Sequence, residues 1–280
     1  ALAAFGWHTR SPRLTVLPEC AGVLSQEPGW FGSTFLADAG APGAARHLAL
    51  PFARASGLDR LEDLLLSNAT QRFAGGAPAL LAALRPARLL IGDVRHRAAS
   101  LRRAVETARS NRLPVIPVGK GFRSQGWEVM HPGPGDDSPR ADDEAVVLRR
   151  EMAGRSIWLL SSSGRLAQRR LAELPGNDRA DVVVAAVPGD GEPLGEPLLA
   201  RLRPQVIVLV SADYPSSARA PAALRQRLAE TGARLLVTDE TGAVTLRETA
   251  GGLRLEPWRG ISFTLPRPAP TGDPAQPSSP

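Results

Sequence analysis

The sequence predicts an α/β domain built as a layered sandwich with its helices on the outside. Short apolar runs alternate with amphipathic stretches along the chain, the pattern of mixed α/β packing rather than of a bundle or a sandwich of sheets alone. About thirteen strand-like runs against six helical candidates is too much β for a doubly wound nucleotide-binding sheet. With 280 residues, 43% hydrophobic and 22% charged, the chain has enough apolar material for one sizeable core.

Taken in order, the runs Leu14–Leu17, Thr34–Ala37, Leu64–Leu66, Arg88–Ile91 and Val115–Val118 read as strands, each a short apolar stretch bounded by turn residues. Trp127–Met130, Ala145–Arg149, Ile157–Leu160, Val182–Ala185 and Val206–Val210 follow, then Arg234–Val237, Ala243–Arg247 and Leu253–Glu256. Helices are expected near 44–56, 76–84, 98–110, 164–174, 195–202 and 221–231. In the third of these, Ala98, Leu101, Val105 and Ala108 recur at spacings of three and four with arginines between them, so one stripe faces a core.

Gly 27 and Pro 26 are frequent but aperiodic, which excludes collagen-like and repeat architectures. No stretch approaches the roughly 18 uninterrupted apolar residues of a membrane span. Ala1–Trp7, followed by His8, Thr9 and Arg10, reads as the end of a hydrophobic segment running into a basic flank, so 1–12 is expected to be a linker or the clipped end of a membrane helix. No composition shift divides 13–264, which is expected to be one domain; 265–280 is Pro-rich and patternless and is expected to be a disordered tail.

The net charge is +6, with Lys120 the single lysine among 34 basic residues. Arginines such as Arg102, Arg103, Arg149, Arg150, Arg169 and Arg170 read as solvated helix or strand faces. Asp136, Asp137, Asp142, Asp143 and Glu144 read as an acidic patch that would repel phosphate. A lone Cys20 excludes an internal disulfide.

Few motifs carry chemistry. Gly133-Pro134-Gly135 and Gly189-Asp190-Gly191 lack the lysine and hydroxyl of a phosphate loop and read as turns. Ser161-Ser162-Ser163-Gly164 lacks the GxSxG spacing of a nucleophile elbow and reads as a turn whose last hydroxyls cap the helix beginning near Arg165. The histidines His8, His47, His96 and His131 are solitary, whereas a metal site needs three or more ligands converging on each ion. His131 reads as surface or structural, His47 and His96 as solvated.

Several segments in order resemble the metallo-β-lactamase fold, and more narrowly the C-terminal domain of the ComEC family of competence proteins, the DNA-uptake channels of the inner membrane. They are Leu14–Leu17, Phe35–Gly40, Leu64–Gly76, Ala145–Arg149 with Ile157–Leu160, Ala180–Val183, Arg203–Val206 and Thr231–Val244. The resemblance covers roughly 13–250 and implies a four-layer αββα sandwich. It also implies where metal ligands would sit, and those positions are altered. In the run Thr/Ser-His-x-[His/Asp]-x-Asp-His-x-Gly-Gly the four ligands correspond to Asn68, Thr70, Arg72 and Phe73, while Gly75-Gly76 survives. The Thr-Gly-Asp aspartate corresponds to Ser163, the Pro-His-His-Gly element to Ala186-Val187-Pro188-Gly189, and a His-Pro to Ala220-Pro221. The Asp-Val-Gly-Gln-Gly-Asp turn becomes Pro18–Val23; Asp38, which in the family supports the site from behind, is retained.

A di-metal hydrolase uses its ions to lower the pKa of bound water and to hold the leaving oxygen. Amide, hydroxyl, phenyl and guanidinium groups form no anionic cage, and the permanent charge of Arg72 opposes a cation. The resemblance therefore implies a non-catalytic domain without metal or other cofactor, tethered to the membrane channel part of the same polypeptide on the extracytoplasmic side. It would bind or guide single-stranded or duplex DNA, or pack on the channel, with Arg72, Arg165, Arg169 and Arg170 as candidate DNA contacts. Two rival readings remain at this point: an active metal-dependent nuclease or phosphodiesterase with displaced ligands, and a structural partner-binding module without DNA affinity.

Overall fold

The structure, a computed structural model, describes residues 11–268 apart from 21, 30–31, 94–97, 177 and 213–215. Two sheets pack face to face. The larger contains, in spatial order, β16 (Phe263–Pro266), β15 (Gly252–Pro257), β14 (Val244–Thr249), β1 (Arg13–Val16), β2 (Val23–Gln26), β3 (Thr34–Ala37), β4 (Asp63–Leu66), β5 (Arg88–Gly92) and β6 (Val115–Val118). The smaller runs β13 (Arg234–Val237), β12 (Val206–Val210), β11 (Val182–Ala186), β10 (Arg155–Ser161), β9 (Val147–Met152), β8 (Trp127–His131) and β7 (Arg123–Ser124). Both sheets are mixed: β3 to β6 and β10 to β13 are parallel, the rest antiparallel.

Side-chain alternation explains the layers. In β12, Val206, Val208 and Val210 enter the core between the sheets, while Ile207 and Leu209 face a helical layer. In β4, Leu65 points between the sheets and Leu64 and Leu66 point outward under helices. These strands are buried on both faces, hence their unbroken apolar runs. In β14 and β15 only Val244, Leu246, Leu253 and Leu255 are core residues, and Arg247, Arg254 and Glu256 alternate with them as ion-paired residues of the outer face.

Over the nine-stranded sheet lie α1 (Pro42–Ala44), a π-helical stretch Ala45–Ala49, α2 (Leu50–Ala55), α3 (Gln71–Ala74), α4 (Ala77–Leu84) and α5 (Ala99–Ser110). Over the other lie α6 (Arg165–Ala172), α7 (Glu196–Leu202) and α8 (Ala222–Ala229). The expected helices are all present, and the four-layer αββα order is the one the sequence resemblance implies.

The differences are local. β2, β7 and β16 were not expected, because each offers at most two apolar residues with little periodic signal. β16 pairs with β15 through Leu253↔Leu265 and Gly252↔Pro266, so ordered sheet extends past the expected limit at 264 to Pro266. Residues 269–280, the rest of the expected tail, and 1–10 lie outside the described residues. The expected strand over Ala145–Arg149 begins at Val147, because Ala141–Glu144 coil into a 3-10 turn just before it. β13 and β14 belong to different sheets, and the short helix α9 (Thr238–Thr241) carries the chain across.

Candidate functional site

The loops following the parallel strands gather at one end of the sandwich. The turn Pro18–Cys20, Asp38 after β3, Ser67–Gly76 after β4, Ser161–Gly164 after β10 and Val187–Gly189 after β11 meet there. Asp38 adopts φ 69° at the Asp-Ala-Gly turn and points its carboxylate inward. Its Oδ1 accepts the Ser67 N–H at 2.8 Å and the Ser67 hydroxyl at 2.7 Å. Ser67 Oγ also lies 2.6 Å from Ser161 Oγ, so the hydroxyl pair joins the two sheets.

Gly75 and Gly76 survive for packing reasons. A Cβ on Gly75 would fall 2.4 Å from the Gln71 carbonyl oxygen, and one on Gly76 2.4 Å from both Ala39 O and the Ala45 side chain. The pair lets α3 and α4 press against the helical layer whether or not any ligand is held nearby.

The positions that would carry ligands are engaged with each other. Asn68 Nδ2 donates to Asp142 Oδ1 at 2.8 Å and to Ser162 Oγ at 3.0 Å, and its Oδ1 accepts the Thr70 N–H at 2.8 Å. Ser162 Oγ donates to Asp142 Oδ1 at 2.8 Å, and Gly189 N–H donates to Asp142 Oδ2 at 2.7 Å. One carboxylate thus ties together three loops that the resemblance assigns to metal binding. Arg72 Nη1 donates to the Val187 carbonyl at 2.6 Å, its guanidinium sits 5.3 Å from the Phe73 ring centre, and its buried Nε and Nη2 have no hydrogen-bond partner among the described residues.

This arrangement does not fit a di-metal centre. A guanidinium bridges the loops after β4 and β11, and the apolar-lined cavity bounded by Cys20, Asp38, Phe73, Ser161 and Ala186 has room for about one water molecule. Among the described residues no group of three or more His, Cys, Asp or Glu is placed to hold a metal ion. Like charges about 4 Å apart repel by roughly 4 kcal/mol at an effective dielectric near 20, so Arg72 disfavours a cation beside it.

Burial sets the electrostatics. It pushes the Cys20 thiol up to about 11, despite the nearby Arg72 charge. It raises Asp38 to about 7 against the opposing hydrogen bonds from Ser67 and the charge of Arg72. Between its ordinary 3.8 and about 7, the folded protein therefore keeps a proton on Asp38 that the unfolded chain has released. Stability should fall as pH rises through that window and level off above it. Buried His131 works the other way, because burial lowers its pKa and its share of stability is lost as pH falls below 6.5. The Asp38 effect is isolated by urea unfolding of wild type and Asp38→Asn from pH 4.5 to 8, where the wild type should lose stability relative to the variant as pH rises.

Several sequence expectations are corrected here. Ser163 turns its hydroxyl back to the Leu160 carbonyl and does not meet Asn68; Ser162 does. The serines do not cap α6. Its Leu166 N–H is accepted by Asp143 Oδ1 at 2.9 Å, from a turn more than twenty residues upstream. The expected acidic patch is largely internal, with Asp143 7% and Glu144 3% exposed and Asp136 held between His131 and Arg170. The histidine readings hold where they can be placed: His131 is structural and buried, its Nε2 2.9 Å from the Asp143 carbonyl oxygen, and His47 is exposed, while His96 lies outside the described residues. Val187 reaches the site through its backbone oxygen while its side chain packs in the core. Of the arginines expected to contact DNA, Arg72 faces Val187 and Arg170 pairs with Asp136 at 3.0 Å; Arg165 and Arg169 are exposed. Sequence reading missed Asp142 as the hub, since nothing local marks it out from Asp143.

Two mixed sheets between helical layers, with loops converging beyond the parallel strand ends, define a domain of the metallo-β-lactamase fold. Solved structures share it. Tm1679, a metal-dependent hydrolase of the β-lactamase superfamily, is 14% identical with TM-score 0.55, covering 81% of this chain and 95% of that one. Igni18, a metallo hydrolase from Ignicoccus hospitalis, is 13% identical with TM-score 0.54, covering 85% and 100%. The metallo-β-lactamase fold protein YhfI from Bacillus subtilis is 12% identical with TM-score 0.52, covering 81% and 96%. At these identities the likeness concerns the fold alone.

In sequence the chain is similar to ComE operon protein 3 of Bacillus subtilis (strain 168), 23% identical over 202 residues, which is 71% of this chain and 26% of that protein. The chain has the metallo-β-lactamase fold, is similar in sequence to this ComEC-family protein, and spans about a quarter of that relative's length. No family model matches the chain. Among the described residues no helix is long and apolar enough to cross a membrane.

Proposed function

We propose that the chain is a non-catalytic metallo-β-lactamase-fold domain of a ComEC-like DNA-uptake protein, lying on the extracytoplasmic side, where it binds or guides DNA beside the channel. The observation that carries this reading is the closure of the ligand loops on one another, through Asp142 with Asn68, Ser162 and Gly189, and through Arg72 with Val187. A site held shut by its own side chains positions loops but offers no activated water. The similarity to ComE operon protein 3 supports the DNA-uptake setting.

The test uses the purified chain. Metal analysis should find no stoichiometric zinc or manganese, and added manganese should produce no cleavage of labelled single-stranded DNA. Filter binding should retain DNA at low salt and release it at high salt, each duplex phosphate contact contributing roughly 0.9 to the log-log slope. Bound metal with manganese-dependent cleavage would establish a nuclease with displaced ligands. Absence of DNA retention at low salt would leave a structural module packing on the channel.

A further inference from the structure

The positive charge of this chain is concentrated on one face. Residues 42–113, which include every helix over the nine-stranded sheet, carry twelve arginines against five carboxylates in sequence. Among the described residues eight of these arginines are exposed against four exposed carboxylates, Asp59, Glu62, Asp93 and Glu106. Arg88 pairs with Asp63, Arg72 faces Val187, and Arg95 and Arg97 lie outside the described residues. The other eight are exposed, Arg46, Arg54, Arg102, Arg103, Arg109 and Arg112 among them, and none of the eight has an ion pair among the described residues.

The opposite helical layer is more evenly balanced. There Arg170 pairs with Asp136, Arg201 with Asp178, Arg225 with Asp239 and Glu240, and Arg227 with Glu192, while Arg165, Arg169 and Arg203 are exposed without an ion pair among the described residues. Folding does not account for the contrast. Arg54 and Arg109 gain from the carbonyl ends of their helices, but Arg102 and Arg103 follow directly on the first turn of α5, where a helix gives a cation no gain. Adjacent exposed charges of one sign also repel. Glu106 is the one carboxylate on that helix.

We propose that the helical layer over the nine-stranded sheet is a polyanion-binding face whose ligand is the phosphate backbone of DNA; this rests on the DNA-handling reading above and moves the contact away from Arg165 and Arg169. Guanidinium groups match phosphate oxygens two at a time, which ammonium groups do not. Contacts of this kind fix position on the strand and read no sequence. A bilayer fits the face less well, because a surface that enters lipid carries large apolar side chains among its cations. The exposed large hydrophobics among the described residues are Trp258, 82% exposed, and Ile261, 80% exposed, and both belong to the turn after β15 rather than to this layer.

The experiment measures binding of the 280-residue chain to labelled duplex and single-stranded oligonucleotides at two salt concentrations. Arg102→Gln/Arg103→Gln/Arg109→Gln/Arg112→Gln should bind about tenfold more weakly, with a salt slope reduced by roughly 0.9 per lost duplex contact, while Arg165→Gln/Arg169→Gln stays within about twofold of wild type. Circular dichroism and thermal melting verify folding. If the fourfold variant unfolds, Arg46→Gln/Arg54→Gln should show about a threefold loss with a wild-type melt. The reverse pattern, with loss only at Arg165 and Arg169, overturns the face while leaving DNA binding intact. A wild-type chain that binds no DNA overturns the DNA-handling reading itself. Binding to phosphatidylglycerol vesicles and not to DNA, lost in the fourfold variant, makes the ligand a lipid surface and overturns the proposal.

Discussion

Replacing Arg88 with alanine is expected to destabilise the domain by about 3 kcal/mol, the cost of leaving the fully buried Asp63 carboxylate without its charged partner. Asp63→Ala should cost less, because the Arg88 guanidinium reaches water. Asp63 opens β4 and is 0% exposed. Its two oxygens accept Arg88 Nε at 2.7 Å and Nη2 at 2.8 Å from the neighbouring strand β5, a two-pronged geometry that only arginine provides. The Ser124 hydroxyl, from edge strand β7 of the other sheet, closes on Oδ2 as well. The carboxylate therefore holds a strand pair and one edge of the sandwich together. Guanidinium chloride unfolding gives the measurement, with a lowered midpoint and an unchanged m value. Asp63→Ala/Arg88→Ala should recover part of the loss, because no uncompensated charge then remains. An Arg88→Ala loss below about 1 kcal/mol would mean that water reaches the Asp63 carboxylate.

Asp142→Ala is expected to cost about 2–4 kcal/mol, since it removes the acceptor shared by Asn68, Ser162 and Gly189. The two ends of the carboxylate differ. The Gly189 N–H is exposed and can turn to water, whereas the Asn68 and Ser162 end is enclosed and carries most of the penalty. Asp142→Asn keeps an acceptor for that enclosed end but presents an NH2 to the Gly189 N–H, so an intermediate loss is expected. The same unfolding measurement decides it. An alanine variant as stable as wild type would show that the three loops hold their places without the hub.

The layers were legible because buried parallel strands such as Val182–Ala186 and Val206–Val210 are apolar on both faces, and because α5 alternates arginine with core residues. β7 was not legible: Arg123 and Ser124 say nothing apolar, and the strand exists only through its pairing with β8. The site divided in the same way. The ligand positions Asn68, Thr70, Arg72 and Phe73 could be placed by their order before Gly75-Gly76. What they do could not, because Asn68 meets Asp142 at a separation of 74 residues and Arg72 meets Val187 at 115. Nor could sequence order tell Ser162 from Ser163, which a change in backbone direction after β10 sends opposite ways. The switch at α9 was hidden for a related reason, since a strand, a turn and a strand look alike in sequence whether the second strand joins the first sheet or the other.

The place of β1 between β2 and β14 reaches into biosynthesis. Thr15 Oγ1 touches Thr245 Oγ1 at 3.1 Å across 230 residues of chain. While a ribosome is still making the middle of the polypeptide, one side of the first strand has bare amide and carbonyl groups, the kind of open margin that recruits foreign strands. Closing so wide a loop is also slow. The nascent domain must therefore wait, half-finished and vulnerable, until β14 emerges to seal the sheet.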